Sequence, residues 1–161
     1  MKLTKKIFLY KIKKYFYKFN LSILLGYYEK LSKPSINLKI QKNTYAPNLL
    51  DLYNLHRIII LNKRLAVLEY GSGWSSLVIA NALKHNNLLY ENKINKLRVE
   101  KPFFSYSVEN SKKYLNITNE RIKKNKLKKF NKLFFSNCNM TIYNGCITTE
   151  YQKLPMFNPD L

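Results

Sequence analysis

LEYGSGWSSLVIA, residues 68–80, places Gly71 and Gly73 two positions apart between an apolar run and the start of a predicted helix. The run Leu65–Leu68 is short and apolar, which is typical of a buried parallel strand, and Ser75–Leu83 has helical spacing. A glycine turn at this point lets the backbone approach a ligand near the N–H groups of a helix N-terminus. The same two glycines also fit an ordinary tight turn, so the loop by itself leaves both interpretations open.

The pattern on either side of this loop predicts further elements of the same kind. Apolar spacing predicts a helix from Asn48 to about Asn62, and residues 84–101 are polar enough for a surface excursion. A second strand is predicted at Phe103–Val108, a basic helix from Ser111 to about Lys128, and a third strand at Thr141–Tyr143. Alternation of strands and helices predicts an α/β fold with a parallel sheet. Asn144-Gly145 is a turn signal after the third predicted strand.

The first 32 residues predict an amphipathic basic helix. Its apolar face carries Leu9, Ile12, Phe16, Phe19 and Ile23, and its other face carries Lys11, Lys14 and Lys18. Three uses fit this pattern: docking of the apolar face on the rest of the fold, an interfacial membrane helix, or an arm that binds nucleic acid or a protein. The polar stretch from Pro34 to Pro47 predicts a linker, so residues 1–47 precede a domain at 48–161.

The composition limits the class of protein. A chain of 161 residues with net charge +20 is expected to form one domain attracted to phosphate backbones or anionic lipids. Its basic residues are nearly all lysine in an Asn-, Ile- and Tyr-rich chain, so the charge is either functional or a background of composition. Cys138 and Cys146 form neither a zinc set nor a disulfide framework, and His56 and His85 have no metal-binding partners. No long apolar run or signal peptide is present, which predicts a cytoplasmic location, with the inner face of a membrane as an alternative.

Two acidic residues make the glycine loop more specific. Glu69 is predicted at the last position of the first strand, where a carboxylate repels a pyrophosphate and suits a ligand that presents a cation. Glu109 follows the second strand, where a carboxylate accepts hydrogen bonds from the hydroxyls of a ribose. Glu91 is the rival ribose ligand by spacing, but the run before Glu109 makes the better strand. A ligand with a ribose, a cation and no phosphate is S-adenosylmethionine.

At these residues the sequence resembles the class I, Rossmann-like S-adenosylmethionine-dependent methyltransferases. The resemblance covers Glu69–Ser76 and Tyr106–Ser111. It implies a Rossmann-like parallel sheet with helices on both faces, of which about three strands are present, and S-adenosylmethionine as the cofactor. A third glycine of the loop is absent, and serine at the helix start is expected to serve as the N-cap. The cofactor-binding residues that the resemblance implies are Glu69, Tyr70, Gly71, Ser72, Gly73, Ser75, Ser76, Glu109 and Asn110.

The resemblance covers about half of the family's domain. Leu154-Pro155 and Pro159-Asp160-Leu161 are similar to a subgroup in which such a Pro-Asp step leads into a fourth strand, which pairs with the first. The sequence thus predicts a domain truncated at the start of its fourth strand and inactive alone, with the catalytic residues and the methyl acceptor unknown. Trp74 either lines the cofactor pocket or packs internally. Two rivals stay open: a non-catalytic basic module that binds RNA or an anionic membrane, and a nicotinamide-dependent oxidoreductase, which Glu69 and the missing glycine disfavour.

Overall fold

The computed structural model describes residues 2–31, 46–94 and 101–161, which form an α/β fold. Five helices and five strands are present in these ranges, in addition to a short 3₁₀ turn at Glu91–Lys93. The predicted α/β class, with helices before the sheet, is confirmed. The elements are α1 (Lys2–Lys18), α2 (Ser22–Leu31), α3 (Leu49–Leu61), β1 (Ala66–Tyr70), α4 (Trp74–Tyr90), β2 (Phe104–Glu109), α5 (Lys112–Lys124), β3 (Asn131–Phe135), β4 (Cys138–Tyr143) and β5 (Cys146–Tyr151).

The centre of the fold is a parallel sheet with the strand order β1-β2-β3. Ala66 of β1 pairs with Phe104 of β2, and Ser105 of β2 pairs with Asn131 of β3. Both crossovers run in the same direction along the sheet, so right-handed connections place α4 and α5 on the same face. The carboxyl ends of the three strands therefore meet at one edge, directly beside the glycine loop that follows β1.

The N-terminal region packs on the sheet domain through its apolar face. Ile12 and Phe16 are buried in one hydrophobic core with α3 and α4, and Leu9, Phe19 and Ile23 are partly buried against that core. This confirms the docking interpretation of the apolar face. The predicted helical face from Leu9 to Ile23 is interrupted, because the chain turns between α1 and α2 at Asn20, which has φ 56°.

The third strand of the sheet is β3, not the predicted Thr141–Tyr143. Those residues belong to β4, which pairs antiparallel with β5 in a separate hairpin. The hairpin turns at Asn144-Gly145, both with positive φ (49° and 77°), as the turn signal predicted. Alternating Thr and Ile residues favour a strand in either setting, so the pattern identified a strand and not the sheet it joins.

Two helix ends also differ from the prediction. α4 continues from Leu83 to Tyr90, so the first part of the predicted surface excursion is helical, and α5 ends at Lys124 rather than Lys128. The remaining excursion residues 95–100 and the linker residues 32–45 lie outside the described residues. Within the described ranges, no helix is long and apolar enough to cross a membrane.

The last residues of the chain lie along the edge of β1 that faces away from β2. Leu161 N–H donates to the carbonyl of Ala66 (3.2 Å), and its carbonyl accepts from Leu68 N–H (2.9 Å), which is the bond pattern of a parallel pair. The Asp160 carboxylate accepts from the backbone N–H groups of Leu65 (2.8 Å) and Ala66 (2.9 Å). This segment therefore lies beside β1, on the side where a fourth strand was expected to pair.

Candidate functional site

The glycine loop makes a sharp turn between β1 and α4. Gly71 has φ +89°, a left-handed conformation that favours glycine, and its N–H donates to the carbonyl of Val108 (2.7 Å). Gly73 is the N-cap of α4, and its N–H donates to the hydroxyl of Ser76 (3.0 Å). The prediction that a serine is the N-cap of this helix is therefore wrong. Ser76 lies in the first turn of the helix, and its hydroxyl accepts from the N–H of the cap residue.

Glu69 lies one residue before the end of β1, and a set of hydroxyls holds its carboxylate. The hydroxyls of Ser76 (2.6 Å) and Ser107 (2.5 Å) both donate to its Oε2. The amide of Asn131 donates in turn to Ser107 Oγ (2.9 Å). Glu69 is partly exposed as a residue, yet burial of the carboxylate raises its pKa, which the hydrogen bonds from Ser107, Ser75 and Ser76 partly offset.

Glu109, the last residue of β2, connects the glycine loop to the second crossover. Its Oε2 accepts from the N–H (2.8 Å) and the hydroxyl (2.9 Å) of Ser72, and its Oε1 accepts from the N–H of Ser111 (2.8 Å). Glu109 is only 6% exposed. A carboxylate oxygen accepts about two hydrogen bonds, so Oε1 retains capacity for a further donor.

The two carboxylates are held by neutral groups in a strongly basic protein. The salt bridges within the described residues join Lys13 to Glu29 and Lys123 to Glu120, and neither Glu69 nor Glu109 takes part in one. The nearby charge of Glu109 adds to the effect of burial in raising the pKa of Glu69. Two carboxyl groups therefore lie beside the glycine loop, and neither salt bridge within the described residues involves them.

An aromatic pair lies next to the loop. Tyr70 is 60% exposed and stacks on Tyr151 of β5, with ring centroids 5.6 Å apart. Burial raises the pKa of Tyr151, as do the neighbouring Cys138 and Glu109, and a backbone hydrogen bond with Gly71 opposes the shift. The hairpin thus contributes a ring to the site, a role that the sequence pattern did not reveal because Tyr151 lies far along the chain.

A cleft of about 190 Å³ opens on the α5 side of the loop. Trp74 forms part of its wall but is buried, with the Arg121 guanidinium 3.6 Å from its ring centroid and the ring of Tyr27 against it. Burial lowers the pKa of Arg121. Trp74 is therefore a packing residue that also forms part of the wall of this cleft. The lining residues are Ser72, Gly73, Trp74, Tyr114, Ile117, Thr118 and Arg121.

Most of the predicted site residues lie close together, but not all of them do. Asn110 follows β2 on the surface. Glu91 lies at the far end of α4, about 25 Å from the loop for a helix of that length, and accepts from the Asn87 amide (3.3 Å). Glu91 is therefore too far from the loop to bind a ribose there in place of Glu109. The residues joined by the bonds described above are Glu69, Gly71, Ser72, Gly73, Ser75, Ser76 and Glu109.

The histidines lie apart from this site, whereas Cys138 pairs with Tyr151 across the hairpin. His56 is fully buried, with its Nδ1 2.8 Å from the Tyr15 hydroxyl and its Nε2 3.0 Å from the Asn81 amide oxygen. Cys138 and Cys146 are free thiols. Within the described ranges no cluster of three metal-binding side chains occurs.

Sequence reasoning missed Ser107 and Asn131, which orient Glu69 from the neighbouring strands. Ser107 lies in the second motif, two residues before Glu109, and the period of a strand places both on the face of Glu69. Asn131 had no signal, because β3 was not recognised as a strand. Comparisons of the chain with known protein families, curated proteins and solved structures give no significant match.

Proposed function

We propose that the chain binds S-adenosylmethionine at the glycine loop and contributes the cofactor site of a methyl transfer to an unknown acceptor. The observation that carries the proposal is the pair of carboxylates, Glu69 and Glu109, beside Gly71 and Gly73 without a basic partner among the described residues. A cationic ligand stabilises such a pair, because an opposite charge within about 4–6 Å favours the ionised carboxylate.

The hydrogen-bonding capacity of Glu109 fits a ribose. Its Oε1 has room for one ligand hydroxyl in addition to the N–H of Ser111. A second hydroxyl is accommodated at Oε2 if the side chain of Ser72 rotates away, since that contact comes from a rotatable hydroxyl. In this proposal Glu109 binds the ribose and Ser72 holds the carboxylate in place until the ligand arrives.

Glu69 supplies the charge that selects a sulfonium ligand. Ser76 and Ser107 fix the orientation of its carboxylate from α4 and β2 without cancelling its charge. When bound, the cofactor supplies an electrophilic methyl group. The chain's residues bind and orient the cofactor, and none of them is proposed as a base.

The loop is less suited to a dinucleotide. A pyrophosphate binds to free backbone N–H groups at a helix N-terminus. Here the N–H of Ser72 already donates to the Glu109 carboxylate, and the N–H of Gly73 donates to Ser76. A phosphate would displace these acceptors and lie near two carboxylates, so the nicotinamide-dependent alternative is disfavoured.

Calorimetric titration with S-adenosylmethionine and with S-adenosylhomocysteine tests both roles. The two ligands share a ribose, but only the first carries the sulfonium charge. Glu109→Gln is expected to weaken both ligands, by roughly 10- to 100-fold for hydrogen bonds to a charged group. Glu69→Gln is expected to weaken S-adenosylmethionine clearly more than S-adenosylhomocysteine. Glu91→Gln, which removes a glutamate at the far end of α4, is the matched control and is expected to change neither affinity.

Two results would contradict the proposal. If the unaltered chain binds neither ligand, the cofactor assignment is wrong. If both ligands bind but Glu109→Gln leaves their affinities within twofold, the ribose is held elsewhere. Thermal unfolding of each variant without ligand separates a loss of binding from a loss of the fold.

A further inference from the structure

The side of α1 that faces solvent carries lysines and apolar rings together. Apart from Phe8, its residues that are exposed recur at spacings of three and four, which places them on one side of the helix. Ile7, Tyr10 and Tyr17 are 52%, 67% and 63% exposed, although each is a large apolar or aromatic residue. We name this surface the outer face of α1, and its residues are Ile7, Tyr10, Lys11, Lys14, Tyr17 and Lys18.

The outer face keeps its positive charge. Residues 1–28 contain no acidic residue, and Glu29 bonds to Lys13 on the flank of the helix (2.8 Å). The other salt bridge within the described residues lies on α5. Lys11, Lys14 and Lys18 are exposed, so their ammonium groups can reach an anionic surface.

The charged surface continues beyond α1. Lys18 borders a cleft of about 210 Å³ together with Lys84 and His85 of α4, and no acidic residue lines it. Leu88, on the same cleft, is 72% exposed. The repeated combination of lysine with an exposed apolar side chain therefore extends from α1 onto α4.

We infer that the outer face of α1 docks on an anionic phospholipid bilayer. Lysines attract the negative headgroups, while tyrosines and an isoleucine on the same face enter the boundary between headgroups and acyl chains. The apolar side of α1 is already used in the core, so the helix lies along the membrane without leaving the fold. An RNA surface favours arginine forks, which this face lacks, and does not need an exposed isoleucine or leucine.

Vesicle sedimentation tests this docking with the whole chain. Vesicles of phosphatidylcholine with 30% phosphatidylglycerol (a chosen composition of about one anionic lipid in three) are expected to retain the protein, and phosphatidylcholine alone is not. Replacing Lys11, Lys14 and Lys18 by Gln is expected to weaken binding roughly 100-fold, at about fivefold for each lysine near such a surface. The matched control replaces Lys124, Lys128 and Lys129 by Gln. These lysines are also exposed, and the two triple variants have the same net charge.

The apolar contribution is tested separately. Tyr10→Ser with Tyr17→Ser is expected to weaken vesicle binding while leaving retention on heparin unchanged. Docking on a bilayer is refuted if the control triple loses as much vesicle binding as the α1 triple, or if the tyrosine pair changes nothing. Docking on a bilayer is also refuted if single-stranded RNA displaces the protein fully from vesicles and the binding of RNA depends on Tyr10 and Tyr17. That result would indicate an RNA-binding surface instead. Circular dichroism verifies that each variant is folded.

Discussion

Protonation of His56 is expected to destabilise the fold as the pH falls. The ring is fully buried, and burial lowers its pKa from 6.5 to about 4 despite the hydrogen bond to Asn81. The folded state thus binds a proton less readily than the unfolded state, so stability decreases as the pH falls below 6.5 and levels off below the folded pKa. With these two pKa values, the free energy of unfolding decreases by about 1.8 kcal/mol between pH 7 and pH 5. The whole difference between the two pKa values corresponds to about 3.4 kcal/mol.

The assay is urea unfolding of the wild type and of His56→Gln at pH 7 and pH 5. Glutamine retains a donor for Asn81 and an acceptor for Tyr15, but it does not titrate. Between the two pH values, the free energy of unfolding of the variant is expected to decrease by about 1.8 kcal/mol less than that of the wild type. The comparison cancels the other titrating groups, including Glu69, whose raised pKa changes stability in the opposite direction. Equal losses in both proteins would refute the reasoning. His85→Gln is the comparison variant: burial also lowers the pKa of this partly exposed ring, but by less, so its replacement is expected to change the pH dependence less than His56→Gln does.

Two further predictions concern the loop and the edge of β1. Gly71→Ala is expected to lower the free energy of unfolding by roughly 1–2 kcal/mol, because alanine disfavours a left-handed φ. Gly26→Ala inside α2 is expected to raise it by up to about 1 kcal/mol. A new Cβ meets no atom within 4 Å at either site, so steric clashes do not affect the comparison. Urea midpoints that shift equally in the two variants would contradict this. Asp160→Ala leaves the N–H groups of Leu65 and Ala66, where β1 begins, without their acceptors and is expected to cost roughly 1–3 kcal/mol. Glu150→Ala on the exposed hairpin should change stability by less than about 0.5 kcal/mol, and equal effects of these two substitutions would argue against a stabilising role for Asp160.

The sequence predicts an element correctly where its local residue pattern is compatible with only one type of secondary structure. A short apolar run, a glycine turn and a helical segment specify β1 and α4, and a run of apolar and aromatic residues places Glu109 at the end of β2. These predictions depend on contacts that are near in sequence. The same local signals placed Glu69 and Glu109 at the same edge of the sheet, because parallel strands present their carboxyl ends together.

The errors arise where pairing partners are distant. β3 is the short segment NKLFF, whose place in the sheet is set by its bonds to β2 and not by its own pattern. Because β3 is not predicted from the sequence, the hydrogen bond by which Asn131 orients Ser107 is not predicted either. The β4–β5 hairpin carries a stronger strand pattern, so it was mistaken for the third parallel strand. Tertiary pairing outweighs propensity for strands more often than for helices, because strand propensity depends on the neighbouring strands.

The choice of serine around Glu69 bears on the function of the loop. A protein with 29 basic residues could have stabilised this buried carboxylate with a lysine, as Glu29 is stabilised by Lys13. A lysine would neutralise the charge and would repel a cationic ligand from the glycine turn. Ser76 and Ser107 donate hydroxyl hydrogen bonds to this oxygen and add no positive charge, while burial raises the pKa of the carboxyl group. A cationic ligand would lower that pKa again, so the proposed binding of S-adenosylmethionine is expected to weaken as the pH falls into the range where Glu69 protonates.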